Sequence, residues 1–98
     1  MSALTIDRRV RIIKALAHPA RLRIAEVLAS GERCVTELQA LIGGDLSTVS
    51  KHLTLMRGAG WVACEKRGQH VHYRLACDCL PTFLQCIDSL ASDHSDCC

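Results

Sequence analysis

The sequence predicts a mainly α-helical domain carrying one β-hairpin, an α+β arrangement, on three observations. Apolar residues recur at helical spacing in five stretches. Gly43-Gly44 separates the third stretch from the fourth by a tight turn, since two glycines favour a turn over a helix interior. Between Trp61 and Leu75 the spacing shortens to the alternation of a strand pair. Ninety-eight residues make one small domain, near the size where a core is thin and pairing with a second copy becomes useful. Only Trp61, Tyr73 and Phe83 are aromatic, so the core must be mostly aliphatic.

The first helix is expected from Ile6 to Ala17. It carries Ile6, Val10, Ile13 and Ala17 on one side, Ile12 and Leu16 beside them, and Arg8, Arg9, Arg11 and Lys14 on a face that reads as solvated. His18-Pro19 breaks the chain, with His18 a helix-boundary residue and Pro19 suited to the first turn of a second helix reaching about Ala29. Ser30-Gly31 ends that helix. Val35, Leu38, Leu41 and Ile42 mark a third, short helix. Asp45 can cap the fourth, which runs from Leu46 to about Arg57 with Val49, Leu53 and Met56 on its apolar stripe.

The other face of that fourth helix holds Ser47, Thr48, Ser50, Lys51 and His52, small polar and basic side chains without an acid. Such a face behind a tight turn suits entry into a major groove, where carboxylates would meet phosphate repulsion. Arg57 closes the helix within reach of the same surface. The hairpin then places Lys66, Arg67, Gln69 and His70 around a tip at Gly68, a basic wing placed for phosphates or a minor groove. The pair is a helix-turn-helix with its reading helix second and a wing behind it.

A last helix from Leu80, with Pro81 in its first turn, carries Leu80, Phe83, Leu84, Ile87, Leu90 and Ala91 on one stripe. A helix of that kind, attached to a domain already covered by its own helices, most economically pairs with its copy. With the first helix it should form a dimer interface. Residues 1–92 are expected to be the domain and 93–98 a short polar, mobile tail with two cysteines.

Charge is unevenly spread. All twelve Lys and Arg lie between Arg8 and Arg74 against six acids in residues 1–75, a surplus of +6; the remaining residues hold four Asp and no base, −4. A basic body suits a polyanion, with the acidic end turned away from it. No apolar stretch is long enough for a bilayer and no secretory signal opens the chain, so no membrane partner and a cytoplasmic location are expected. The seven cysteines then read as free thiols, soft ligands or redox groups.

Four segments in order carry a resemblance to a known family: Leu16-Ala17-His18-Pro19-Ala20-Arg21-Leu22-Arg23-Ile24, Gly31-Glu32-Arg33-Cys34-Val35-Thr36-Glu37-Leu38, Ser47-Thr48-Val49-Ser50-Lys51-His52-Leu53 and Val71-His72-Tyr73-Arg74-Leu75. Together they closely resemble the ArsR/SmtB winged helix-turn-helix repressors, over roughly residues 6 to 92. The resemblance implies a homodimeric transcriptional repressor that binds double-stranded operator DNA and releases it on binding a metal, a metalloid or another signal. Leu46 stands where family members often carry a polar residue, which would shift readout toward thymine methyls.

Five of the seven cysteines fall in the last 22 residues: Cys77, Cys79, Cys86, Cys97 and Cys98. Thiolates select soft ions, and trivalent arsenic and antimony accept three of them, whereas cadmium and zinc want a fourth ligand. Departures from family patterns narrow the choice. Cadmium, lead and the best-known arsenic sensors pair two cysteines one residue apart near the start of the third helix; here Cys34 is followed by Val35 and Thr36. Zinc and nickel sensors carry histidines in the last helix, where this chain has none before His94, and the second-helix cysteine of persulfide sensors is replaced by Glu26. Cys34 alone reads as core, and Cys64, in the first wing strand, as packing.

Two geometries remain open. An extended Cys77-Asp78-Cys79 would face both sulfurs one way. The last helix, about 20 Å long at 1.5 Å per residue, would keep Cys97 and Cys98 of the same chain away, so an antiparallel partner would supply its tail. Alternatively Cys86 gathers Cys97 and Cys98 within one chain.

The function expected is release of the operator when As(III) or Sb(III), as inducer, binds thiolates near the last helix, with no organic cofactor. The alternatives are a redox- or persulfide-responsive repressor, or one responding to Cd, Pb, Cu(I) or Zn. No cysteine sits with a histidine base and an orienting acid, so catalysis is not expected. A metal carrier would not need a reading helix and a wing.

Overall fold

The computed structural model describes the backbone of residues 3–91 and the side chains of residues 5–91. Five helices and a small sheet follow in the order α1 (Ala3–Lys14), α2 (Pro19–Ala29), β1 (Arg33–Cys34), α3 (Val35–Ile42), α4 (Leu46–Gly58), β2 (Val62–Arg67), β3 (His70–Leu75) and α5 (Leu80–Ala91). The α+β class, the turn between α3 and α4 and the hairpin are as the sequence led one to expect. The tail at 93–98, with Cys97 and Cys98, lies outside the described residues.

Two features differ. α1 begins at Ala3 rather than Ile6 and ends at Lys14, three residues before the expected Ala17. Ala15 and Leu16 turn inward and are 2% and 3% exposed. The turn closes through Leu16 N donating to Ile13 O and His18 N to Leu16 O. Tertiary burial overrides the helical periodicity there, and His18 takes the extended conformation that a following proline favours (φ −159°, ψ 135°). The second difference is β1, which pairs antiparallel with β3 through Arg33–Tyr73 and Cys34–His72, giving a three-stranded sheet in the order β1-β3-β2. A strand of two residues is too short to leave an alternating pattern.

The core gathers Leu16, Ile24, Ala25 and Leu28 with Leu38, Val49, Leu53, Met56, Val62 and Leu80, aliphatic side chains and one methionine, as the scarcity of aromatics implied. Trp61 joins the wing to α1: its indole Nε1 donates to Ile12 O at 2.7 Å, and its ring stacks on Phe83 of α5 with centroids 6.1 Å apart. The apolar stripe of α5 divides. Leu80 is buried and Phe83 and Leu84 pack against the core, while Ile87 and Leu90 are 41% and 55% exposed. Ile6, Val10 and Ile13 of α1 are similarly uncovered. No helix among the described residues is long and apolar enough to cross a membrane.

Candidate nucleic-acid interface and thiol pair

The reading helix is positioned by its turn and its cap. Gly43 and Gly44 both take positive φ, +89° and +82°, a pair of conformations that side chains with a Cβ adopt only under strain. Asp45 then accepts the Thr48 N–H at 2.8 Å, which holds its carboxyl below the usual range and satisfies one free amide of α4. Burying Val49, Leu53 and Met56 turns Ser47, Thr48 and Lys51 outward, all exposed, with Ser50 half-buried at the edge. His52 is turned away from this face. It is half-buried against His18, ring centroids 4.6 Å apart, and burial lowers its pKa, helped by the neighbouring His18 and Arg21. His18 in turn caps α2, its Nδ1 accepting the Ala20 N–H at 3.1 Å.

In the wing, Lys66, Gln69 and His70 are exposed about Gly68. Arg67 is not free: it is paired with Glu65 at 2.6 Å and with both carboxylate oxygens of Glu32, at the entry to β1. Glu32 is also 3.7 Å from His72 Nδ1. The Arg67 hydrogen bond holds the Glu65 carboxyl below its ordinary value. Arg57, at the end of α4, donates from Nη1 to Cys64 Sγ at 3.2 Å and so ties the reading helix to the first wing strand. Nothing in the sequence signalled Glu32, which meets Arg67 across 35 residues only because β1 lies beside the hairpin.

The thiols divide by place. Cys34 caps α3: its backbone N–H donates to Glu37 Oε1 at 2.9 Å, lowering the Glu37 pKa, and its sulfur is 3.1 Å from Thr36 Oγ1. Cys64 is half-buried under Arg57. Cys77 and Cys79 come together, their sulfurs bonded to each other and their Cα atoms 5.4 Å apart. Cys77-Asp78-Cys79 is a turn rather than the extended segment expected, because Cys79 O already accepts the Phe83 N–H as α5 begins. Cys86 is exposed two turns along α5, about 10 Å further at 1.5 Å per residue, and does not join them within one chain. Among the described residues no three His, Cys, Asp or Glu side chains form a metal-sized group.

The helix-turn-helix and wing are shared with known proteins. Residues 16–65 match a family model described as a helix-turn-helix domain, half of the chain. The homodimeric winged helix-turn-helix DNA-binding domain of a possible ArsR-family transcriptional regulator from Mycobacterium bovis superposes with a TM-score of 0.83 at 32% identity, covering 94% of this chain and 85% of that one. The chain belongs to the ArsR/SmtB family. Among ArsR/SmtB relatives, the HTH-type transcriptional regulator Rv0324 of Mycobacterium tuberculosis is 32% identical over 92 residues, 94% of this chain and 41% of its own length. The arsenical resistance operon repressor of Escherichia coli is 37% identical over 68 residues, 68% of this chain and 58% of that protein. The chain thus spans about half the length of the curated relatives it matches. The family is one of DNA-binding transcriptional regulators.

Proposed function

We propose that the protein is a homodimeric cytoplasmic repressor that binds operator DNA and leaves it when As(III) or Sb(III) is captured by thiolates at the start of α5. The observation that carries this reading is the convergence of Cys77 and Cys79 at the head of the helix that leaves Ile87 and Leu90 uncovered for a second copy. Reduced, the pair offers two soft ligands, and a trivalent metalloid needs one more. Cys86 of the partner chain, or Cys97 or Cys98 of either chain, completes the set. The relative named for arsenical resistance in Escherichia coli supports the choice of metalloid. Ser47, Thr48, Ser50 and Lys51 read bases or phosphates, while His52 is held against His18; Arg57, Lys66, Gln69 and His70 hold the backbone, and Arg67 joins them to the extent that Glu32 and Glu65 release it. Metalloid binding changes how the two α5 helices pack and thereby the separation of the two reading helices. A coupling of about 1 to 3 kcal/mol suffices for a 5- to 150-fold loss of affinity.

A second reading has its own observation, the bond between the two sulfurs. In it, loss of two electrons and two protons to an oxidant converts the Cys77/Cys79 dithiol to the disulfide, and that change is the signal.

Fluorescence anisotropy of the dimer on DNA from upstream of its own coding sequence separates the two, with the metalloids added in a thiol-free reductant and the oxidant added to reduced protein freed of reductant. Arsenite or antimonite should release the DNA, and Cys77→Ser with Cys79→Ser should bind DNA unchanged yet ignore them. Release by oxidant alone would assign the redox reading; a variant that still responds to arsenite would remove the pair from the site.

A further inference from the structure

A groove of about 680 Å³ lies along the reading helix, between it, α1 and the start of α2. Its walls carry Arg8, Arg11, Lys14 and Arg21, and no acid lines it; Leu55 and Gly58 of α4 form part of its floor. Three features of this place act together.

The first is continuity. Thr48, Lys51, Leu55 and Gly58 succeed one another at spacings of three and four, so they form one strip of α4. The floor of the groove therefore continues the strip that carries Thr48 and Lys51 at the reading end. Leu55 is 48% exposed there, and Gly58 has open space where a Cβ would stand.

The second is availability. Arg8 and Arg11, three residues apart, lie on the side of α1 opposite Ile6, Val10 and Ile13. Pairing of α1 with a second copy through that apolar stripe leaves the groove open.

The third is an arginine held in place. The Nη1 of Arg21 donates to Lys14 O and Ala15 O at 3.3 Å each, closing the end of α1, while its Nε is buried without a hydrogen-bond partner. Four cations in a concave track with no carboxylate among them fit a chain of phosphates.

We infer that this groove is a second DNA-contacting surface, in which Arg8, Arg11, Lys14 and Arg21 hold the phosphate backbone that borders the major groove entered by Ser47, Thr48 and Lys51. The inference rests on the reading of α4 as the reading helix. It gives the basic face of α1 a role other than solvation. The contacts go to phosphate, so they set affinity and register on any sequence, whereas the reading helix and wing decide which sequence is preferred.

Binding to a mixed-sequence 30-base-pair duplex, followed by anisotropy from 50 to 400 mM salt, tests it without knowledge of the operator. Each lost phosphate contact lowers the slope of log K against log salt by about 0.9. Arg11→Gln with Lys14→Gln removes up to four contacts from a dimer, so the slope should fall by about 2 to 4. With lines converging near 1 M salt, binding at 0.2 M is then weaker by about 25-fold or more. Arg21 is left intact because it closes α1, and far-UV circular dichroism checks that the variants fold. Leu55→Lys adds a cation to the floor at an exposed position and should steepen the slope by about 2.

Lys51→Gln is the control for the reading helix. If it lowers the slope while the Arg11/Lys14 variant and Leu55→Lys leave it unchanged, the groove carries no phosphate and the inference falls alone. If Lys51→Gln is also without effect, the placement of α4 on DNA falls with it. Tighter binding on removal of the groove charges would mean that an acidic protein segment occupies the site, and would equally overturn the inference.

Discussion

Replacing Glu32 by Gln should strengthen DNA binding, although the side chain lies outside the reading helix. In the structure Arg67 is clasped by Glu32 and Glu65, so the wing offers DNA a guanidinium already neutralised by carboxylates. The pair is well exposed, 51% for Arg67 and 31% for Glu32, so water and salt screen it and the fold should hardly notice its loss. What changes is the charge that reaches the duplex. One additional phosphate contact per protomer makes two per dimer and steepens the slope of log K against log salt by about 1.8. Between 200 and 50 mM salt the ratio of variant to parent affinity should then grow by about 12-fold, four raised to that power. Glu65 still holds Arg67 at 2.6 Å, so Glu32→Gln alone should give part of this gain and the double change with Glu65→Gln the whole. Anisotropy titrations of the parent and both variants over that salt range measure it. An unchanged slope in the double variant would show that Arg67 does not meet phosphate, and the wing tip would then act through Lys66 and His70 alone.

Two further outcomes follow from the packing. The His52 pKa lies below the ordinary histidine value of 6.5 because of burial, then His18 and Arg21. The unfolded chain therefore binds a proton more readily, and stability should be full above about pH 6.5 and decline as pH falls through and below it. His52→Gln should flatten that decline in urea melts taken between pH 5 and 8; an equally steep decline would assign it to other groups. Trp61→Phe keeps the stacking on Phe83 and loses the indole hydrogen bond to Ile12 O, at a cost of about 1 kcal/mol. Urea unfolding at fixed protein concentration measures this, and an unchanged midpoint would mean that water takes the place of the indole N–H.

Much of the candidate interface was legible in the chain because its signals are local. A cap at Asp45, two glycines that tolerate positive φ and a stripe at Val49, Leu53 and Met56 act within a turn or two, so the reading helix and its outward residues follow from spacing alone. The wing tip at Gly68 is equally local. Two of the misplacements were contacts between distant segments. His52 belongs by spacing to the polar face, yet His18, 34 residues earlier, draws it inward. Arg67 reads as a free cation until β1 brings Glu32 beside it.

The sequence by itself thus determined the class of the fold, the order of its helices and wing, the membership of the ArsR/SmtB family and the presence of paired thiols at the head of the last helix. Those depend on period, on cap and turn chemistry and on residue type, which short stretches of chain carry in full. Only the tertiary structure decided that α1 stops at Lys14, that α5 spends part of its apolar stripe on its own core and leaves Ile87 and Leu90 outside, and that the cations of α1 line a groove along α4. The reason is physical: burial and ion pairing depend on which segments meet in space, and a one-dimensional pattern fixes what a face is made of without fixing what lies against it.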